Sequence, residues 1–480
     1  MITFLCGLMI LILGYMFYAP YVQKQFVPTD APTPAQRIND KRDFVPIKTS
    51  KVALIQLLNI AGIGPLLGAV QGILFGPVAF ILIPLGCVIM GGVHDYFSGM
   101  ISVRDNGLQV TGLIKKYLGE KAYFVFIIVV SLMLLLLSAT FVYTSGDLIA
   151  ERFLGVTDFS LTNPVMITIY SLIVLYFLMA TLFPVDKIIG NIYPIFGFLL
   201  LFGTGAILAG FLFHGITLQE FDIRHINLNP NNLSIIPFFF MTVSCGLLSG
   251  FHSTQSTIVS RTLNSEFEGK KVFYGMMCLE SLIAMIWAAG AMHVYSHNLV
   301  PIDMVGKANV LNIITNNFVP YYVAFLVTST IVILPITSGD TALRSLRLTI
   351  AEALNFKQSS IKNCLIITIP SVLLMIGVLY VAKMDNALFF LVWRYFTFVN
   401  QLIAVLTFAY ASVFLYKSGK NYFITLIPAI FFAYVTSTFI LNAKIGFNLS
   451  LNTAKVIAVI LTLLFILWIV KKMQNFKKMD

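Results

Sequence analysis

Long stretches without a charged residue constrain this chain more than any other feature. They cover residues 1–23, 52–93, 122–146, 159–185, 308–339 and 421–443. A helix needs roughly 20 apolar residues to cross the hydrocarbon core of a bilayer, so each stretch is long enough to cross once and 52–93 is long enough to cross twice. Barrel strands would alternate in polarity, and these stretches do not. The sequence therefore predicts an all-α polytopic membrane protein.

The apolar stretches, together with the segments between them, predict about 13 transmembrane helices. We place them at about 2–20, 52–75, 77–98, 122–146, 164–183, 188–213, 234–260, 272–294, 319–338, 361–382, 387–416, 421–441 and 453–470. Loop Lys and Arg residues collect on the cytoplasmic side of membrane proteins. With the N-terminus outside, 24 of the 31 Lys and Arg residues fall on that side and six on the outer side, while Arg394 lies within a span. The asymmetry supports this topology, with a cytoplasmic C-terminus.

The same asymmetry explains the net charge of +11 without a nucleic-acid partner. Residues 1–22 are predicted to be a retained extra helix, because they lack the positive region and the cleavage site of a signal peptide. The Pro-rich, charged segment 23–51 is typical of an extended cytoplasmic loop. The five cysteines stand singly, without metal-ligand spacing, so we predict no metal and no cofactor.

Two of the predicted spans contain helix-breaking residues. The span at 52–75 reads "LNIAGIGPLLGAVQG" and the span at 234–260 reads "CGLLSGFHSTQST". Relative to alanine, glycine costs about 1 kcal/mol and proline about 3 kcal/mol inside a helix. In lipid the freed backbone groups must also find partners, so such breaks persist where they line a cavity or are packed in protein.

The two broken spans lie five spans apart and run in opposite directions. They therefore open two predicted five-helix inverted repeats, 52–213 and 234–416, separated by an extracellular loop at 214–233. Residues 417–480 add two C-terminal helices and a basic tail. Matching interrupted helices in two inverted halves are typical of secondary transporters that bind solute near the bilayer midplane.

The sequence also resembles the carbon starvation protein A (CstA) family of bacterial peptide and pyruvate transporters. The matching stretches are "IAGIGPLLGAV" (60–70), "GGVHDYFSGMISVRDNG" (91–107), "DKIIGNIYPIFG" (186–197), "CGLLSGFHSTQSTIVSRTL" (245–263), "GDTALRSLRL" (339–348) and "NQLIAVLT" (400–407). The resemblance implies a 5+5 inverted repeat of the LeuT/APC-like kind, similar to the amino acid–polyamine–organocation transporters. It also implies proton-linked uptake of small peptides or pyruvate across the bacterial cytoplasmic (inner) membrane under carbon starvation. His94 stands where the resemblance leads us to expect Gln.

The candidate substrate-binding residues lie in or near the broken spans and in the span at 387–416. They are Asn59, Gly62, Gly64, Gln71, His252, Ser253, Gln255, Ser256, Arg394, Asn400 and Gln401. Hydroxyl, amide and imidazole groups can hydrogen-bond a solute, but they also commonly join one membrane helix to another. Arg394 can hold a substrate carboxylate, or its side chain can extend to the outer interface.

The candidate coupling residues are ionisable or hydroxyl side chains within or beside predicted spans. They are His94, Asp95, Glu280, Thr337, Ser338 and Asp340. Ionisable groups are costly in hydrocarbon and tend to mark proton or ion pathways. The alternatives are that Asp95 pairs with Arg104 and that Asp340 belongs to an ion network with Arg344 and Arg347. Thr337 and Ser338 keep sodium open as the coupling ion.

These patterns favour a proton-coupled importer of short peptides, with pyruvate or another small carboxylate as the alternative substrate. The expected partners are the solute, protons and membrane lipids. We expect no enzyme, because motifs for a hydrolase are missing from the sequence. A channel and a non-transporting nutrient sensor are the other readings; interrupted inverted halves favour alternating access over a continuous pore.

Overall fold

The computed structural model describes residues 1–41, 43–183, 189–301, 305, 309–358, 360–384 and 386–477. Four of the basic residues counted in the predicted topology, Arg42, Lys187, Lys307 and Lys478, lie outside the described residues. The described part of the chain consists of helices and their connections, without a strand.

Twenty-one α-helices follow one another along the described chain. The first eleven are α1 Ile2–Leu13, α2 Ala19–Phe26, α3 Pro34–Arg37, α4 Thr49–Ile60, α5 Gly64–Gly72, α6 Ala79–Gly86, α7 Gly92–Arg104, α8 Val110–Leu118, α9 Glu120–Leu154, α10 Pro164–Leu182 and α11 Ile189–His214. The others are α12 Phe240–Thr242, α13 Ser244–Leu247, α14 Phe251–Val259, α15 Met276–Ser296, α16 Asn309–Phe318, α17 Tyr321–Ala353, α18 Ile361–Met384, α19 Asn386–Lys417, α20 Phe423–Asn442 and α21 Leu451–Lys477.

Eleven helices within the described residues are long and apolar enough to cross a membrane, so the chain is a multi-pass membrane protein. The pair α4 and α5 adds a twelfth if it is one span, and it is bent by 54° at its break. The remaining predicted span, 234–260, is not one helix: its backbone is kinked at Ile236, and the short helices α12, α13 and α14 follow. The count of 13 spans and the inverted repeat stay predictions.

The broken helices lie in the protein interior, and long apolar helices surround them. All nine residues of α14 are buried, as are residues 92–103 of α7. In contrast, α21 leaves a row of apolar side chains exposed, including Val456, Ile460 and Leu467. An exposed apolar helix face in a membrane protein contacts lipid tails, whereas irregular backbone has to be covered by protein.

The connections between helices gather at the two ends of the bundle. We call the end that holds residues 27–48 and 261–268 the basic face, and the other end the opposite face. At the basic face, residues 27–48 contact residues 261–268, and Arg37 donates a hydrogen bond to Asn106 Oδ1 at 2.8 Å. At the opposite face, the Leu228 amide donates to the Phe75 carbonyl at 3.2 Å, and Tyr395 donates to the Ile445 carbonyl at 3.0 Å.

The break between α13 and α14 is held together by α19. The Oδ1 atom of Asn400 accepts hydrogen bonds from the Phe251 amide at 2.6 Å and from the Ser249 hydroxyl at 3.2 Å. The side-chain amide of Gln401 donates to the Leu248 carbonyl at 2.9 Å. These bonds satisfy backbone groups that a continuous helix would have paired internally. A Cβ atom at Gly250 would overlap the Asn400 carbonyl oxygen, so glycine lets α19 approach.

We therefore expect Gly250→Ala to destabilise the protein by about 1–3 kcal/mol, the usual cost of overpacking a tight contact. Gly377→Ala in α18 is the matched control, since a Cβ there meets nothing within 4 Å. The midpoint of thermal unfolding in detergent should fall for the first variant and stay level or rise for the second. Equal midpoints would mean that the contact between the break and α19 is not tight.

Candidate functional site

Four buried ionisable side chains form a connected chain at the centre of the bundle. Asp95 on α7 contacts a histidine through each of its oxygens: Oδ1 lies 2.9 Å from His94 Nδ1, and Oδ2 lies 3.0 Å from His252 Nδ1. Nε2 of His252 lies 3.6 Å from Oε2 of Glu280 on α15. All four side chains are 0% exposed. Ionisable groups of α7, α14 and α15 thus come together away from solvent.

Glu280 forms the loose end of this chain. The 3.6 Å separation from His252 exceeds normal hydrogen-bond distance, and among the described residues neither oxygen of Glu280 has a hydrogen-bond partner. Nε2 of His94 is also unpaired within that set, and its ring packs edge-on against Phe408. An imidazole with one nitrogen on Asp95 and the other facing Glu280 can take a proton from one side and release it to the other.

The alternative pairing of Asp95 with Arg104 is wrong. Arg104 binds Glu266 instead, with Nε and one terminal nitrogen each 2.8 Å from a carboxylate oxygen. Asp95 therefore has histidines, not a permanently charged arginine, as its partners. Histidine changes protonation near neutral pH whereas arginine does not, so this carboxylate belongs to a group of side chains able to exchange protons.

A cavity of about 1280 Å³ opens at the opposite face and extends to the first helix break, at Ile63, and to α13. α5 contributes Gly64, Leu67, Gly68 and Gln71, so its N-terminal turn faces the cavity. The lining residues of α9 occupy one side of that helix. They are Tyr143, Thr144, Asp147, Leu148 and Glu151.

α13 forms the boundary between this cavity and the buried cluster of His94, Asp95, His252 and Glu280. Ser244 and Cys245 line the cavity. A Cβ atom on the next residue, Gly246, would lie 2.6 Å from the Cβ of Ala284, which is one turn beyond Glu280 on α15. One short helix thus separates the cavity from the carboxyl group of Glu280.

The predicted substrate-binding residues divide into two groups in the structure. Gly64, Gln71 and Arg394 line the cavity. The others are not among its lining residues; they are Asn59, Gly62, His252, Ser253, Gln255, Ser256, Asn400 and Gln401. Asn400 and Gln401 bind the backbone of the break, and the Ser256 hydroxyl accepts a hydrogen bond from Gln56 at 3.2 Å. Asn59 is buried with its side-chain oxygen unpaired among the described residues.

The remaining coupling candidates lie where α17 crosses the first break. The Ser338 hydroxyl is 3.4 Å from the Leu58 carbonyl of α4, and the Thr337 hydroxyl binds carbonyls of its own helix. Asp340 accepts a hydrogen bond from the Tyr193 hydroxyl. It takes no part in the ion pairs of Arg344 and Arg347, which go to Asp43 at 3.2 and 3.5 Å.

Asp43 belongs to a strap, residues 27–49, that runs across the basic face. The strap is bonded to the segment after α14: the Val45 amide donates to the Arg261 carbonyl at 3.3 Å, and the Ile47 amide donates to the Thr262 carbonyl at 3.1 Å. The same strap reaches α17 through Asp43. It therefore covers the end of the bundle opposite the cavity.

Three functional candidates were missed by sequence reasoning: Asp43, Asp147 and Glu151. An isolated acidic residue in a loop or near a helix end has no pattern that separates it from a solvated surface charge. On α9, the spacing of Tyr143, Asp147 and Glu151 at every fourth residue was a usable signal, because such residues share one helix face.

Within the described residues, no group of three or more His, Cys, Asp or Glu side chains is arranged to hold a metal ion. The cluster of His94, Asp95, His252 and Glu280 combines two carboxyl groups with two imidazoles, and Asp95 lies within hydrogen-bond distance of both histidines.

The chain matches the model of a known protein family. The model of the carbon starvation protein CstA matches residues 1–170, 143–316 and 300–439. The chain belongs to the CstA family. An uncharacterised membrane protein of Haemophilus influenzae is 36% identical over 343 residues, which cover 62% of this chain and 92% of that protein.

Other CstA relatives carry a functional name. The peptide transporter CstA of Campylobacter jejuni is 26% identical over 58% of this chain and 48% of its own length. That of Mycobacterium tuberculosis is 26% identical over 57% of this chain and 44% of its own length. The chain thus spans about half the length of these named transporters. Its fold is similar to that of an Eremococcus coleocola manganese transporter, with a TM-score of 0.54, 12% identity, and coverage of 92% of this chain and 99% of the other.

Proposed function

We propose that this CstA family protein is a secondary active transporter that imports short peptides, coupled to protons, across the bacterial cytoplasmic membrane. The observation that carries the proposal is a cavity at the first helix break, separated by one short helix, α13, from a buried cluster of carboxyl and imidazole groups. The names of its CstA relatives support peptides as cargo. The family description supports carbon starvation as the condition of use.

The charge distribution supports one orientation in the membrane. The basic face would be cytoplasmic by the positive-inside rule, with the N-terminus outside and the C-terminus in the cytoplasm. The cavity would then face the exterior, and the strap would close the interior. This corresponds to the outward-open member of an alternating-access cycle between the proposed repeats, 52–213 and 234–416.

The cavity supports a solute larger than a simple carboxylate. Pockets for small ligands commonly enclose about 300–1,000 Å³, and this one is about 1280 Å³. Its lining combines an arginine, the N-terminal turn of α5 and the Gln71 amide with aromatic side chains such as Trp393. Helix N-termini and arginine both bind carboxylates, and aromatic surfaces accept peptide side chains.

For coupling, Glu280 would exchange a proton with His252, and Asp95 would bind the resulting imidazolium. The 3.6 Å gap between Glu280 and His252 would have to close for transfer, so a small shift of α14 against α15 would link proton movement to the helix break. Polar side chains continue from the cluster towards the basic face. Ser102 and Ser260 are hydrogen-bonded at 2.8 Å, and Thr257 donates to Gln109 Oε1 at 3.2 Å.

Sodium is the alternative coupling ion. Ser338 lies beside the Leu58 carbonyl at the first break, and hydroxyl and carbonyl oxygens are the ligands that hard cations prefer. Thr337 and Asp340 on the same helix would supply the neighbouring oxygens in that alternative.

Uptake into proteoliposomes tests the function directly. We expect labelled dialanine to accumulate under an inward proton gradient and to stop accumulating when an uncoupler collapses it. Accumulation of labelled pyruvate instead would assign a small-carboxylate carrier, and dependence on a sodium gradient would replace the coupling ion. No accumulation of either solute under either gradient would contradict transport and favour a nutrient sensor.

Glu280→Gln separates coupling from transport, because glutamine keeps the shape of the side chain but cannot carry the proton. We expect proton-driven accumulation of dialanine to fall at least tenfold, while exchange of dialanine between the two sides continues. Glu120→Gln is the matched control, since Glu120 is 74% exposed. If Glu280→Gln still accumulates peptide like the wild type, Glu280 is not the proton carrier.

Asp43→Asn tests the strap as an inner gate. The variant removes the charge that Arg344 and Arg347 share, and breaking a buried ion pair commonly costs about 3–5 kcal/mol. The buried thiol of Cys364 lies 2.8 Å from an Arg347 nitrogen, so it is a natural reporter of opening.

We expect a membrane-impermeant maleimide applied from the basic face to label Cys364 at least tenfold faster in Asp43→Asn than in the wild type. Asp30→Asn is the control, because Asp30 is an exposed acid of the same strap. Equal labelling rates in the wild type and Asp43→Asn would remove the strap from the gate.

A further inference from the structure

The cavity carries acidic side chains on one wall and a basic side chain on another. Asp147 and Glu151 lie one turn apart on α9, and Arg394 lies on α19. Lys444, in the connection after α20, is the other basic lining residue in the described part of the chain. Both kinds of charge therefore face the same enclosed volume.

Asp147 already pairs with a cationic side chain, that of Lys383. Nζ of Lys383 lies 2.7 and 2.9 Å from its two oxygens, and Tyr170 donates a further hydrogen bond to Oδ1. The same ammonium sits over the Tyr143 ring, 4.0 Å from its centroid. Lys383 is 3% exposed, so the pair is a structural tie between α9 and α18 and not an open binding group.

Glu151 is placed differently. Its side chain is 44% exposed in the cavity wall, and its ion-pair partner among the described residues, Arg152, is 4.0 Å away. Arg152 has a second partner on α16. When the side-chain amide of Asn312 is rotated by 180°, its oxygen accepts hydrogen bonds from two Arg152 nitrogens. The Glu151 carboxylate therefore remains accessible to a cationic group in the cavity.

Arg394 supplies the opposite charge. It is exposed, lines the cavity, and makes no ion pair with any of the described residues. The cavity is also long enough for an extended ligand. The lining of α9 runs over eight residue steps, which corresponds to about 12 Å of helix. A dipeptide spans about 7 Å when extended.

We infer that Glu151 binds the α-ammonium group of a peptide whose carboxylate is held by Arg394. The cavity would thereby select solutes that carry opposite charges at their two ends, and it would discriminate against monocarboxylates such as pyruvate. The inference rests on the proposed peptide transport and adds to it a specificity-determining residue.

The experiment measures inhibition of labelled dialanine uptake by three unlabelled competitors in proteoliposomes: dialanine, N-acetyl-dialanine and dialanine amide. For the wild type, we expect each blocked end to raise the inhibitory concentration about tenfold, because each removes one charge-assisted interaction. Glu151→Gln should bind dialanine about tenfold more weakly and should no longer distinguish it from the N-acetyl compound. It should still distinguish dialanine from the amide.

Arg394→Gln should show the reverse pattern, losing only the discrimination against the amide. Glu151→Asp keeps the charge and should retain most of the discrimination against N-acetylation, which a merely structural role would not predict. Asp158→Asn and Arg224→Gln are the controls. Both residues lie at the end of the bundle where the cavity opens, but neither lines the cavity. Thermal unfolding midpoints equal to that of the wild type establish that each variant is folded.

The outcomes separate this inference from the proposed function. If Glu151→Gln transports dialanine and still discriminates against the N-acetyl compound, the Glu151 site is refuted and peptide transport stands. If the wild type takes up pyruvate and not dialanine, both the Glu151 site and the proposed peptide transport are refuted.

Discussion

Hydrocarbon offers no hydrogen bonds, and the broken helices in the described part of this protein are arranged around that constraint. The break between α13 and α14 exposes backbone groups in the middle of the bundle, where water cannot reach them. Asn400 and Gln401 on α19 supply the missing partners. With its start fixed in this way, α14 places His252 next to Asp95, so the buried chain of ionisable groups depends on the same amide contacts.

The same constraint shapes the charged groups. Asp95 takes a histidine on each oxygen, and Asp147 takes Lys383. Arg344 and Arg347 share Asp43. Glu280 is different, because its carboxyl group has no hydrogen-bond partner among the described residues. A group that is satisfied in only one protonation state or one conformation suits a moving part, whereas a fully paired group suits a fixed one.

The cavity and the strap lie at opposite ends of the bundle. The cavity is bounded by α5, α9 and α19 and reaches the first break and α13, while the strap ties α2 to the segment after α14 and to α17. Access from one face and closure at the other are the arrangement expected of one state in an alternating-access cycle. Because α14 carries His252 and leads directly into the segment held by the strap, movement at the break would affect both the proposed proton pathway and the proposed inner gate.

The sequence by itself determined the membrane character, the positions of the long helices and the two breaks, since uncharged runs and Gly/Pro clusters are local properties. It also singled out His94, Asp95, His252 and Glu280 individually as candidates. Only the tertiary structure decided that these four residues meet, because α7, α14 and α15 are brought together by packing that no local pattern encodes. It likewise assigned Asn400 and Gln401 to the break, placed Glu151 in the cavity wall, and paired Asp43 with arginines of α17, a helix remote in the chain. Spacing along a helix predicts a shared face, but not which other helix covers that face.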